Sequence, residues 1–267
     1  MFSKLKYITY KNLKTAITSI IRIQYFDKNP ILIGGVGRSG TSLISAILDA
    51  HPEIKCFPWE TNTFERERKY KRSTLNKYRN LSRLYFLLLR ENIDQSARRW
   101  CEKTPRNLTK LDEIFEEFGK EVKIILMIRD GRDVMTSFHP QKENEYYINP
   151  ERWLKDTRLT LKYFNHNQVF VLPYESLINN FEYSIKKLMK FLDSPMDDKL
   201  FNYVKHSNIQ SHGAFHGNKL KTITNKSIEK WKKPEHKKRM EEFLSTPGVQ
   251  EFQDKIIEYR NLFEKDI

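Results

Sequence analysis

Residues 30–52 read PILIGGVGRSGTSLISAILDAHP. A short apolar run, Ile31-Leu32-Ile33, meets a turn carrying Gly34, Gly35, Gly37 and Gly40. Leu43, Ile44, Ile47 and Leu48 then recur at helical spacing until His51-Pro52 stops them. Strand, glycine-rich turn and helix in that order make a phosphate cradle. Backbone N–H groups reach an anion where no Cβ intervenes, and the N-terminus of the following helix adds a favourable dipole.

The spacing narrows the ligand. Gly35 to Ser42 follows G-x-x-x-x-G-T-S, a P-loop frame with Thr41 where a nucleoside triphosphatase places the lysine that reaches the β- and γ-phosphates. The cation stands instead at Arg38, inside the turn, where a planar guanidinium suits bidentate contact with one phosphate-like group. The plain alternative is a structural βα turn with an exposed arginine.

Outward from the cradle, strands and helices alternate. Residues 100–105 (WCEKTP) read as a short strand ended by proline, and 108–118 as a helix stopped at Gly119. Residues 122–128 (VKIILMI) form the clearest strand, apolar enough to be covered on both faces, and run into Arg129-Asp130-Gly131-Arg132-Asp133. A helix over 150–164, a fourth strand over 169–172 and a helix over 181–192 follow. Residues 200–226 read as a long loop, the kind that binds ligands or acts as a lid. The segments 227–233 and 235–263 close the chain as helices broken by Pro234 and Pro247-Gly248. The expected class is α/β: a P-loop-like three-layer fold with a central parallel sheet flanked by helices. Residues 30–267 are read as one domain, preceded by a basic amphipathic helix over 1–29.

The 267 residues, 39% hydrophobic and 13% aromatic, suffice for a full core. A formal charge of +14 calls for an anionic partner without choosing among a phosphorylated cofactor, an acidic polymer, nucleic acid and a membrane surface. Residues 1–26 carry five basic residues and no acid. They suit either peripheral membrane contact or packing beside the first strand, and their longest uncharged run is far short of the ~20 residues that span a bilayer. The expected location is cytoplasmic. Two cysteines, Cys56 and Cys101, exclude a disulfide scaffold, and the seven scattered histidines show no ligand spacing, so no metal site is expected. The basic stretch over 65–99 reads as a solvated helical face.

Arg38 in the cradle, Arg129 at a strand end with Ser137 eight residues on, and Lys230-Trp231 after the loop together resemble the 3′-phosphoadenosine 5′-phosphosulfate (PAPS)-dependent sulfotransferases, most closely the tyrosylprotein sulfotransferases. The resemblance implies that Arg38, Ser39, Gly40, Thr41 and Ser42 hold the 5′-phosphosulfate, and that Arg129 and Ser137 bind the 3′-phosphate. Tyr174, Lys230 and Trp231 complete the nucleotide site. It further implies Glu60 of CFPWET as catalytic base, with Lys103 of CEKTP and Arg38 stabilising charge. In that family the two cysteines are bridged, which places Cys56 beside Cys101. In a cytoplasmic setting they stay reduced. The family's assisting loop serine has no aligned match; Ser207 and Ser211 are the candidates, if either serves. One extra residue separates Cys56 from Glu60, and Asn62 stands where those enzymes carry an arginine.

The expected activity is therefore transfer of a sulfuryl group from PAPS to an acceptor hydroxyl of a carbohydrate, lipid or tyrosyl group, without a metal. The alternatives are a P-loop nucleotide kinase, disfavoured by Thr41, and a nucleic-acid-binding protein, disfavoured by the lack of aromatic interleaving among the basic residues. No specific nucleic-acid partner is expected. The oligomeric state stays open, a homodimer being one arrangement.

Overall fold

A computed structural model describes residues 28–65, 84, 86–88, 96–139, 142, 145–209 and 221–265. The expectations for the N-terminal helix, for most of the 65–99 stretch and for Ser211 fall outside these residues. The described chain runs β1 (Ile31–Gly35), α1 (Thr41–Asp49), β2 (Ile54–Cys56), β3 (Arg99–Lys103), α2 (Leu111–Phe118), β4 (Lys123–Ile128), α3 (Gly131–Met135) and α4 (Pro150–Lys162). It continues through β5 (Val169–Pro173), α5 (Tyr174–Asn179), α6 (Phe181–Leu192), α7 (Tyr203–His206), α8 (Lys237–Ser245) and α9 (Val249–Phe263).

The five strands form one sheet of order β2-β3-β1-β4-β5, parallel at every pairing. The α/β reading holds, with one strand more than expected. The sequence reading passed over β2, because three residues at a sheet edge leave too short a pattern to separate from a loop. Alternation across the pleat explains the layers. Leu32, Ile124, Leu126 and Ile128 enter one core with Trp153 and Phe243, whereas Ile31, Ile33, Ile125 and Met127 enter the other with Ile44, Ile47, Ile185 and Leu188. Both faces of β1 and β4 are thus covered, which is why their sequences are nearly all apolar.

Connections decide where a ligand can lie. The chain leaves β1 to α1 on one face of the sheet, while the segments after its neighbours β3 and β4 pack on the other, α2 through Leu111 and Ile114 and α4 through Trp153. The topology therefore switches on both sides of β1, and the crevice opens at the carboxyl ends of β3, β1 and β4.

Some local readings are corrected. The helix expected over 108–118 begins as a 3-10 turn, Pro105–Lys110, since proline fixes the entry and supplies no N–H. Residues 227–233 are not a helix. Short 3-10 turns at Asn225–Ser227 and Lys230–Lys232 flank Glu229 at φ 59, a left-handed conformation that breaks regular winding. The turn Asp198–Leu200 leads into the 200–226 stretch, which contains α7.

Candidate active site

The cradle sits at the crevice centre. Gly35 and Gly40 lie at φ 142 and 95, conformations an L side chain rarely takes. A Cβ on Gly35 would stand 2.4 Å from the Met127 carbonyl oxygen, and one on Gly40 would stand 2.6 Å from the Tyr174 ring. Gly40 is the N-cap of α1 and offers no capping side chain, so the first-turn N–H groups lack an intrahelical partner. Ser39 is fully buried. Its hydroxyl donates to the Val36 carbonyl at 2.5 Å and its N–H to the same oxygen at 3.2 Å, so this serine shapes the turn rather than presenting its hydroxyl outward.

Arg38 takes a left-handed φ of 68, and its carbonyl accepts from Arg129 Nη1 at 3.0 Å. Its guanidinium carbon lies 5.8 Å from the centre of the Tyr147 ring, which Arg152 approaches at 5.5 Å. Arg129, buried at the end of β4, stacks on Tyr174 at 4.3 Å, donates from Nη2 to the Ser227 carbonyl and lies 3.9 Å from the Asp133 carboxylate. Tyr174 and Ser227 share a hydrogen bond of 2.5 Å between hydroxyls. Ser137 stands at the end of α3 with a long 3.5 Å contact from its hydroxyl to the Asp133 carbonyl.

Lys230 joins this group. Burial, then the nearby Arg129 and Arg38 charges, lower its pKa, partly offset by Asp133; burial foremost and then Arg129 lower that of Arg38, with Tyr147 opposing. Three cations held close at an electrostatic cost form a site that favours an anion.

The Arg129–Asp133 turn also clasps the later loop. Asp130 caps α3 and pairs with Arg132 at 2.6 Å, and Arg132 lies over the Trp231 ring at 4.1 Å. Asp133 accepts from the N–H groups of Glu229 at 2.8 Å and Trp231 at 3.3 Å. Burial, foremost, raises the Asp133 pKa.

On the other side of β1, Lys103 ends β3 opposite Ile33. Its ammonium donates to Glu60 Oε1 at 2.6 Å; the lysine side chain is 5% exposed and the carboxylate 42%, so Glu60 faces the mouth while Lys103 lies beneath it. Cys56 and Cys101 oppose each other in register on β2 and β3, as free buried thiols, and burial, followed by the Cys101 contact, pushes the Cys56 thiol well up.

Most residues singled out from the sequence therefore converge. Ser207 does not: its hydroxyl donates to Asp49 at the far end of α1, about 12 Å along the helix from Thr41 by the rise per residue. Sequence reading missed Ser227, whose position three residues before Lys230 was the available signal, and also Asp133, Tyr147 and Glu102, whose roles depend on neighbours distant in the chain.

The profile described as sulfotransferase family matches residues 30–198. Protein-tyrosine sulfotransferase A of Caenorhabditis elegans is 27% identical over 198 residues, covering 65% of this chain and 52% of that protein. Protein-tyrosine sulfotransferase 1 of Homo sapiens is 33% identical over 135 residues, 43% of this chain and 35% of that one. The chain spans about half the length, or less, of these curated relatives. Among solved structures, the sulfotransferase domain from the Synechococcus PCC 7002 olefin synthase superposes with a TM-score of 0.58 at 18% identity, covering 88% of this chain and 96% of that one. Mouse sulfotransferase SULT7A1 complexed with PAP superposes with a TM-score of 0.52 at 16% identity, covering 90% and 92%. These two share the fold.

Proposed function

This chain belongs to the sulfotransferase family, and from that premise we propose that it transfers a sulfuryl group from PAPS to a hydroxyl acceptor. The observation that carries the reading is the convergence of Arg38, Arg129 and Lys230 at the carboxyl end of β1 and β4, with the Glu60–Lys103 pair at the carboxyl end of β3. The residues fit such a donor: a glycine-rich turn, an uncapped helix N-terminus and three cations close enough that Arg129 lowers the pKa of both Arg38 and Lys230.

PAPS supplies the activated sulfuryl group. The turn over residues 36–42, with Thr41 and Ser42, holds the phosphosulfate end. Arg129 with Ser137, Ser227 and Lys230 holds the 3′-phosphate, while Tyr174 and Trp231 flank the nucleoside. Glu60 accepts the proton of the acceptor hydroxyl, and Lys103 orients that carboxylate and offsets charge developing on the transferred group. Carbohydrate, lipid and tyrosyl hydroxyls all suit this chemistry; the tyrosyl acceptor of the relatives is one arm of the test.

Thermal denaturation with adenosine 3′,5′-bisphosphate checks the nucleotide site. A rise of several degrees, about what a ligand at 100 times its Kd gives a domain of this size, is expected with the bisphosphate and is lost in Arg129→Ala. Stabilisation only by ATP with magnesium, or only by an oligonucleotide, overturns the reading. Transfer from radiolabelled PAPS to a panel of glycans, phenols, lipids and tyrosine peptides then identifies the acceptor.

A further inference from the structure

Glu102 is fully buried one residue before Lys103, and no catalytic step uses it. Successive strand residues face opposite sides, so its carboxylate points away from the Lys103 ammonium. No cation pairs with it among the described residues; four neutral donors do. Oε1 accepts from the Thr104 hydroxyl at 2.6 Å, the Thr61 hydroxyl at 3.0 Å and the Thr61 N–H at 3.2 Å, and Oε2 accepts from Asn107 Nδ2 at 2.8 Å.

The donors come from three residues in different parts of the fold. Thr61 follows Glu60 directly, and its hydroxyl, engaged with Glu102, accepts in turn from the Thr63 hydroxyl at 2.8 Å. Thr104 follows Lys103 and its hydroxyl also accepts from the Asn62 N–H at 3.3 Å. Asn62 lies at φ 53, and its side chain donates to the Glu60 carbonyl at 3.2 Å, tightening the loop on itself. The Asn107 amide donates a second time, at 3.1 Å, to the carbonyl of Ile33 on the strand that feeds the cradle.

We propose that Glu102 is a positioning residue: its buried carboxylate ties the Glu60 loop to β3 and β1, and so sets the base against Lys103. The exposed Glu60 carboxylate has little else to fix it, since a surface ion pair alone orders a side chain weakly. A buried acceptor with four converging donors is rigid; losing one donor leaves a buried carboxylate oxygen short of a partner, and losing the carboxylate leaves the donors unsatisfied. Burial raises the Glu102 pKa, with the hydrogen bonds of Thr104, Asn107 and Thr61 opposing, so these bonds offset part of the cost of an ionised group there. The catalytic meaning of this arrangement rests on the reading of Glu60 and Lys103 given above; the arrangement itself is tested without it.

The test measures reductive methylation of Lys103 by mass spectrometry, with hydrogen exchange of peptides spanning residues 60–63, in the wild type, Glu102→Gln, Thr61→Val and Thr61→Ser. Loosening the loop exposes the buried ammonium. Lys103 labelling is expected to rise about tenfold in Glu102→Gln and Thr61→Val, the effect of one lost charge-assisted hydrogen bond on a local opening, while Thr61→Ser labels as the wild type. Adenosine 3′,5′-bisphosphate binding stays within about twofold, because the groups that hold it lie elsewhere. If Glu102→Gln does not fold, the Thr61 pair decides. Unchanged labelling in folded variants, or loosening spread evenly over all peptides, overturns the proposal. Failure of the wild type to bind the bisphosphate overturns the nucleotide reading and leaves this result standing.

Discussion

At the scale of single residues, the candidate site separates the groups proposed to meet ligand from the groups that hold them in place. The exposed Glu60 carboxylate pairs with the buried Lys103 through a bond of 2.6 Å. Glu60→Gln is expected to lower transfer by about 10²–10⁴-fold, the usual worth of a general base, with bisphosphate binding unchanged. Single-turnover transfer and equilibrium binding on the same preparation check this. An equal loss of both would make Glu60 a structural residue. Arg38 and Arg129 were singled out in the sequence by their places in a turn and at a strand end, and Glu60 and Lys103 by the resemblance, through their places after Cys56 and Cys101. Ser39 was legible as a turn residue, but the direction of its hydroxyl, back onto Val36, was not. Ser227 was read as a helix residue and Asp133 as part of a charged run. What gives them roles is contact with Tyr174 and with the N–H groups of Glu229 and Trp231 across about fifty and a hundred residues of chain.

At the scale of elements, the turn between β1 and α1 packs directly on the first residue of α5. Gly40→Ala puts a Cβ at φ 95 and into the Tyr174 ring, 2.6 Å away. Strain of about 1–3 kcal/mol is expected, seen as a lower midpoint in urea, together with weaker bisphosphate binding, because Tyr174 also carries the Arg129 stack. Ser42→Ala, on the same turn but without the clash, should leave the midpoint within about 0.5 kcal/mol equivalent. Equal destabilisation by both would show that the packing on Tyr174 is not the cause. Long apolar strands and α6 were read with close bounds because burial on both faces, or one helical stripe, writes itself into the pattern. The edge strand β2 and the 3-10 turns at 225–232 were not, since three residues carry no period and their conformation is imposed by the Asp133 clasp.

At the scale of the whole molecule, Asp49, Glu102, Asp133, Asp156 and Glu175 all have raised pKa values, and burial is the largest cause for each. A carboxyl raised above its unfolded value binds its proton more tightly in the folded chain. Its stabilising contribution therefore grows as pH falls through the window just above the ordinary carboxylate range, and is lost as pH rises through the folded pKa. Asp156 lies outside the catalytic and nucleotide sites and serves as the test. The stability of the wild type relative to Asp156→Asn, from urea denaturation, is expected to increase on acidification from about pH 7 to pH 4. A gap that shrinks instead would mean that Arg152, at 3.7 Å, outweighs burial. The sequence by itself determined the glycine-rich turn and the central strands, because glycine placement and apolar runs act locally along the chain, and its separated motifs carried the resemblance to the family. Only the tertiary structure decided that Arg38, Arg129 and Lys230 converge, that Glu60 meets Lys103, and that Glu102 and Asp133 hold the loops between them. The strand order β2-β3-β1-β4-β5 is set by packing between segments far apart in sequence, and that order alone brings the carboxyl ends of β3, β1 and β4 around one crevice.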